Sequence, residues 1–218
     1  MKHGRIIVIE GLDGCGKQTQ SKILFDKFFS LKKKVKLISM PNYQSLSSGP
    51  VRMYLNSQIS KNLFEINSFA AASFFAVDRF INYILYWKKF YSDENYTIIC
   101  DRYATSNMIY QLAKLDFKYW DNFLDWLCDY EYDKLEIPKP DCVIYLKLPI
   151  EISQKLIKSR NKPKDLHESD LKFLKLCSKA AEYSAKKFNW NIINCSTDGD
   201  NIDSLHKISE KIFEILKI

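Results

Sequence analysis

A short apolar run, Ile6–Ile9, passes directly into Glu10-Gly11-Leu12-Asp13-Gly14-Cys15-Gly16-Lys17-Gln18-Thr19. Gly11, four intervening residues and then Gly16-Lys17 is the spacing of a phosphate-binding loop set between a strand and a helix. Glycines open backbone angles closed to other residues, so that successive N–H groups turn inward around phosphate oxygens. The helix that follows presents its positive end to the same anion, and Lys17 reaches the terminal phosphates as a point charge. Gly11, Leu12, Asp13, Gly14, Cys15, Gly16, Lys17, Gln18 and Thr19 are therefore the candidate contacts for a nucleotide's phosphates. A loop of this kind demands a strand before it and a helix after it, which already points to an α/β chain.

One position departs from the usual pattern. Ser or Thr normally follows the lysine and offers a hydroxyl to magnesium, whereas this chain has Gln18. Thr19 is one residue on, about 100° around a helix, and so does not simply substitute. The expectation is that magnesium is held mainly by nucleotide phosphates and waters, with Gln18 touching it through its amide oxygen or a water.

The rest of the chain agrees with an α/β layer. Apolar, β-branched runs at Ile6–Ile9, Val35–Met40, Tyr96–Cys100, Cys142–Leu148 and Trp190–Cys195 are continuous rather than alternating, as in parallel strands buried on both faces. Helical spacing occupies Thr19–Leu31, Phe64–Tyr91, Trp120–Tyr132, Ile150–Ser159, Ser169–Phe188 and Ile202–Ile218. The 218 residues, 46% of them hydrophobic, suit one domain with a proper core and exclude a disordered chain. Only Lys158–Asp170 is polar, basic and broken by a proline, Pro163; it reads as a surface loop or as a flap.

Composition narrows the chemistry. The net charge of +7 comes from lysines spread along the chain, with one short run at Lys32–Lys34, which suits a small polyanionic substrate better than a nucleic acid. No apolar run approaches the roughly 20 residues of a membrane span. Met1-Lys2-His3-Gly4 leads into too few apolar residues for a signal-peptide core. The six cysteines have no CxxC or paired spacing, and the three histidines are scattered, so neither a disulfide framework nor a zinc site is expected. A reducing cytoplasm is the expected location. The chain carries no guanine-reading Asn-Lys-x-Asp, since Asn161-Lys162-Pro163-Lys164 ends in lysine, and it has no room for the extra regions of large ATPases. A small-molecule kinase is left as the leading class.

The third strand ends Asp101-Arg102-Tyr103, an acid and a base beyond the carboxyl end of a parallel strand, where ligands collect. Phe75 and Arg79 are spaced i,i+4, so an aromatic ring and a guanidinium share one helix face. With these residues in order, the chain resembles the thymidylate kinases, which phosphorylate dTMP with ATP. The likeness takes in Gly11–Gln20, Pro41-Asn42-Tyr43, Phe75-x-x-x-Arg79, Asp101-Arg102-Tyr103, Ser106-Asn107, Tyr110-Gln111 and a basic lid before a long helix.

That resemblance implies a three-layer P-loop kinase fold, a five-stranded parallel sheet flanked by helices with a short lid, formed by residues 1–218 as one domain. It implies ATP and dTMP as partners, Mg2+ as cofactor, a homodimer, and no nucleic acid or membrane. Phe75 would stack on thymine, Arg79 would donate to a thymine carbonyl and Asn107 would read the base edge. Tyr110 would lie against the sugar, Asp13 would accept from the 3′-hydroxyl, Tyr43 would stand beside the acceptor phosphate and sugar, and Gln111 belongs to the same dTMP set. Arg102 would grip the dTMP phosphate, and Asp101, with Gln18, would stand near the magnesium. Some relatives place an arginine in the phosphate loop after its Asp, where this chain has Gly14; the lid-arginine solution implies Arg160 as the group over the transferring phosphoryl, joining Lys17 and Arg102 as catalytic residues. Other readings remain at this point: a deoxynucleoside kinase, another nucleoside monophosphate kinase on the same scaffold, or a nucleotide-binding protein that transfers nothing.

Overall fold

The computed structural model describes residues 3–158 and 170–218. Five parallel strands form one sheet: β1 (Arg5–Gly11), β2 (Lys34–Ser39), β3 (Tyr96–Asp101), β4 (Cys142–Lys147) and β5 (Asn191–Asn194). Their order is β2-β3-β1-β4-β5, with β1 at the centre. Every residue of β1 after Arg5 is buried, as its unbroken apolar run demands, whereas edge strand β2 is only half covered. The register sets Ile9 opposite Asp101 and Gly11 opposite Leu146, so the phosphate loop and the Asp101-Arg102 pair leave the same edge of the sheet side by side.

Successive residues of β1 feed opposite layers, following the two-residue period of a strand. Ile7 and Ile9 pack with Leu24 and Phe28 of α1 (Lys17–Ser30) and with Ile208 and Ile212 of α9 (Leu205–Leu216). Ile6 and Val8 join the larger opposite cluster around Trp87, Tyr103, Phe123 and Phe173. That second layer draws on α3 (Ser68–Asn82), α5 (Asn107–Tyr110), α6 (Trp120–Cys128) and α8 (Leu171–Lys187). The remaining helices are α2 (Gly49–Leu55), α4 (Lys88–Tyr91) and α7 (Ile150–Lys158). No described helix is long and apolar enough to cross a membrane.

The strands follow the sequence reading to within a residue or two; the last helix starts three residues late, at Leu205, and two others depart further. The helical run expected over Phe64–Tyr91 starts at Ser68 instead, because Asn67 caps it, its side-chain oxygen accepting from Ala70 N at 2.8 Å. It then loosens into a π-helical turn over Tyr83–Trp87, which turns both aromatic rings inward, 4.5 Å apart. The run expected over Trp120–Tyr132 likewise ends as an α-helix at Cys128 and continues as a π-turn over Asp129–Lys134. Helix α2, which packs Val51, Tyr54 and Leu55 against Ala71 of α3, was not anticipated.

Candidate active site

The phosphate loop bends as its glycines allow. Gly11 has φ 153°, and a Cβ there would meet the Leu146 carbonyl at 2.7 Å. Gly14, at φ 85°, would meet the Ser153 carbonyl of α7 at 2.8 Å, so no side chain fits where some relatives carry an arginine. Gly16 caps α1 in the left-handed conformation, and the helix opens at Lys17 toward the loop. The Lys17 ammonium donates to the Leu12 carbonyl at 2.9 Å and lies 3.6 Å from Asp13 Oδ1. Burial pushes the Cys15 thiol up, which keeps this loop residue a small neutral hydrophobe.

Beside the loop opens a cleft of about 480 Å³. It is lined by Asp13 and Gln18 from the loop side, by Tyr43 after β2, by Phe75 and Arg79 of α3, and by Asp101 and Arg102 at the tip of β3. Asn107, Tyr110 and Gln111 complete its wall. Each dTMP-site residue expected from the sequence therefore faces one space. Arg160, with Lys162 and Lys164, lies outside the described residues, which end α7 at Lys158 and resume at Asp170.

At the loop end of the cleft, Arg102 makes a very short ion pair with Asp13 Oδ1 and donates to the Tyr110 hydroxyl at 3.4 Å, while that hydroxyl donates to Asp13 Oδ2 at 3.0 Å. Burial works against the Arg102 charge, but Asp13, Tyr110, Glu10 and Asp101 together outweigh it and hold the guanidinium well above its ordinary value. Burial likewise pushes the Tyr110 phenol well up, so it remains a neutral donor. At the far end, Arg79 donates through Nε and Nη2 to both oxygens of Glu131, at 2.6 and 2.9 Å. Asn107 Nδ2 donates to the Ala72 carbonyl at 3.2 Å and to Glu131 Oε1 at 3.0 Å. Phe75 is half-buried and stands edge-on to Tyr54, with ring centroids 6.2 Å apart. Gln111 is fully buried, and its Nε2 has no hydrogen-bond partner among the described residues.

Three acids of this site were missed in the sequence. Glu10 is fully buried at the end of β1 and accepts from Tyr103 N, Thr105 Oγ1 and Ser106 Oγ, at 3.3, 2.7 and 2.8 Å, which pins the segment after β3 to the phosphate loop. Asp78 accepts from Asn42 N at 3.2 Å and Ser47 Oγ at 2.5 Å, fastening the segment that carries Tyr43 onto α3. Glu131 backs Arg79 and Asn107, the two residues expected at the base edge. A carboxylate inside an otherwise apolar run is the available signal for Glu10; Glu131 gives none, because a regular helical phase does not predict a π-turn.

Among the described residues, no group of three or more His, Cys, Asp or Glu side chains is gathered to hold a metal ion. Asp101 is 8% exposed and its Oδ2 accepts from Ser39 Oγ at 3.3 Å, while Gln18 lines the same cleft. One carboxylate and one amide oxygen beside a phosphate loop form a sparse donor set. Such a set fits magnesium, which keeps several waters and takes its remaining ligands from nucleotide phosphates.

Residues 9–207 match the model of the family described as thymidylate kinase. The thymidylate kinase of Schizosaccharomyces pombe is 29% identical over 79% of this chain and 83% of its own length. A Saccharolobus solfataricus protein described as probable thymidylate kinase 1 is 30% identical over 91% and 92%. In fold, the chain is similar to the solved thymidylate kinase of Candida albicans, with a TM-score of 0.73, 24% identity and coverage of 99% of this chain and 92% of the other.

Proposed function

The chain belongs to the thymidylate kinase family and is a kinase that transfers the γ-phosphoryl group of ATP to dTMP, and we propose the following roles for its residues in that transfer. The loop amides of Gly11–Lys17 and the start of α1 cradle the ATP phosphates, and Lys17 leaves the Leu12 carbonyl to meet the terminal ones. The dTMP lies along the cleft with its phosphate on Arg102 and its base toward Arg79. A forked guanidinium held charged by Asp13 is suited to a phosphate, and Tyr43 flanks the same phosphate and sugar. Asp13 takes a hydrogen bond from the 3′-hydroxyl, and Tyr110 closes against the sugar ring. Phe75 stacks on thymine, while Arg79, Asn107 and Gln111 meet its polar edge.

Phosphoryl transfer asks a protein for in-line positioning and for positive charge on the equatorial oxygens of the moving group. Lys17 and Arg102 bring charge from two sides, and Arg160 brings it from the segment after α7. Gln18 and Asp101 would hold Mg2+ through few direct bonds, and the ion would neutralise phosphate charge as it builds. All 218 residues act as one P-loop kinase domain in the cytoplasm, with no nucleic acid or membrane partner. Two copies pair through the outer side of α3 and the turn after it, where Val77, Ile84 and Leu85 stand exposed.

The observation that supports this reading best is that residues scattered from Asp13 to Gln111 line a single cleft beside the phosphate loop. An acceptor panel tests it: dTMP, dUMP, thymidine, UMP and AMP are each incubated with ATP, with and without magnesium, and scored for ADP release. Fast, magnesium-dependent release with dTMP is expected. Preference for thymidine, for UMP or AMP, or release independent of any acceptor, would overturn it.

A further inference from the structure

Glu131 has no expected part in catalysis, yet it touches both side chains at the base end of the cleft. It is fully buried, delivered inward by the π-turn Asp129–Lys134, whose end is fixed by Ile137 N donating to the Glu131 carbonyl at 3.1 Å. Its two oxygens take Arg79 Nε and Nη2, and Oε1 also takes Asn107 Nδ2. The Tyr103 ring supports the Arg79 guanidinium from one face, with its centroid 5.7 Å away.

The consequence for Asn107 is chemical. A side-chain amide has two hydrogens, and here one goes to the Ala72 carbonyl and the other to Glu131. Both partners are acceptors only. Turning the amide over would set its oxygen against two oxygens, one of them charged. Oδ1 is therefore the atom Asn107 has left for a ligand in the cleft, and it can only accept. Arg79, on the same carboxylate, can only donate.

We infer that Glu131 is a specificity-positioning residue that writes this acceptor-plus-donor pattern and so selects thymine over cytosine. Thymine offers an N3–H and a 4-carbonyl, the complement of the pattern. Cytosine offers a bare N3 and a 4-amino group, which oppose it at both points. The inference rests on the base-site reading above. It adds that the choice of base is made by a buried carboxylate that never touches the base.

Glu131→Gln tests it, because a glutamine can offer Asn107 an N–H and so permit the amide to reverse. The quantity read is the ratio of kcat/KM for dTMP to kcat/KM for dCMP. A fall of at least about tenfold in that ratio is expected, carried mainly by the KM values. A merely structural brace would depress both substrates together, so a ratio within twofold of the unaltered enzyme overturns the inference. If Glu131→Gln does not fold, Glu131→Asp keeps the charge but is a methylene short of reaching both partners, and the same criterion applies. Should neither fold, hydrogen exchange decides on the unaltered protein. Slow exchange of the Asn107 side-chain amide is expected, and exchange as fast as that of an exposed asparagine overturns the lock. An unaltered enzyme with no preference for dTMP over dCMP would instead mean that the base-site reading itself has failed.

Discussion

Arg102 holds a backbone φ of +68°, a region that a side-chain-bearing residue enters only when its surroundings impose it. The imposition is visible: its own N–H donates to the Ile9 carbonyl at 3.2 Å, and its guanidinium is held by Asp13 and Tyr110. This aims a fork of donors into the cleft where an acceptor phosphate would lie. Arg102→Lys keeps the charge and loses the fork. It is expected to lower kcat/KM for dTMP by at least about 100-fold, about 2.7 kcal/mol, with the fold intact by circular dichroism. A loss under about threefold in steady-state kinetics would mean that the phosphate is gripped elsewhere. At this scale the sequence was readable wherever a polar residue sat at a strand end or in a recognisable spacing, as with Asp13, Arg102 and the Phe75–Arg79 pair. It was opaque for Asp78 and Glu131, whose importance lies in what they hold, and Glu10 showed only as a carboxylate inside an apolar run.

Helix α7 explains why the phosphate loop is bare at Gly14. The Ser153 carbonyl and Ile157 of α7 press on that glycine, so no arginine can stand there. The same contact brings the end of α7 next to the loop; Arg160, the expected source of the missing charge, lies outside the described residues. Arg160→Ala is expected to cut kcat by at least about tenfold with little change in the KM for dTMP, as single-turnover kinetics would show. A smaller drop in a folded variant would assign the residue to a solvated basic loop. Element types were legible because continuous apolar runs and 3.6-residue spacing differ plainly. The two π-turns were not, since one inserted residue shifts the helical phase without a mark in composition. One of them supplies Trp87 to the core and the other supplies Glu131 to Arg79 and Asn107.

The whole molecule places its thiols and phenols deep on both sides of the sheet. Burial raises Cys15, Cys100 and Cys177, raises Cys195 to about 12, and pushes the Tyr103 and Tyr110 phenols well up. In the fold these groups keep protons that the unfolded chain would give up. The stability they hold is complete below the unfolded thiol value of 9.0 and drains as the pH climbs toward the folded values. Lys114 works the other way. Burial lowers it to about 8, so its contribution rises with pH between there and 10.5, but one lysine opposes four thiols. The urea midpoint is therefore expected to be lower at pH 10 than at pH 8, and an equal or higher midpoint would mean that the thiols ionise inside the fold.

The most direct test is a crystal of this protein grown with thymidine monophosphate. Its base should rest on Phe75 with the polar edge toward Arg79 and Asn107, and its phosphate on Arg102. Ordered nucleotide bound away from the cleft between α3 and the tip of β3, or seated there with base and phosphate exchanged, would contradict the assignment.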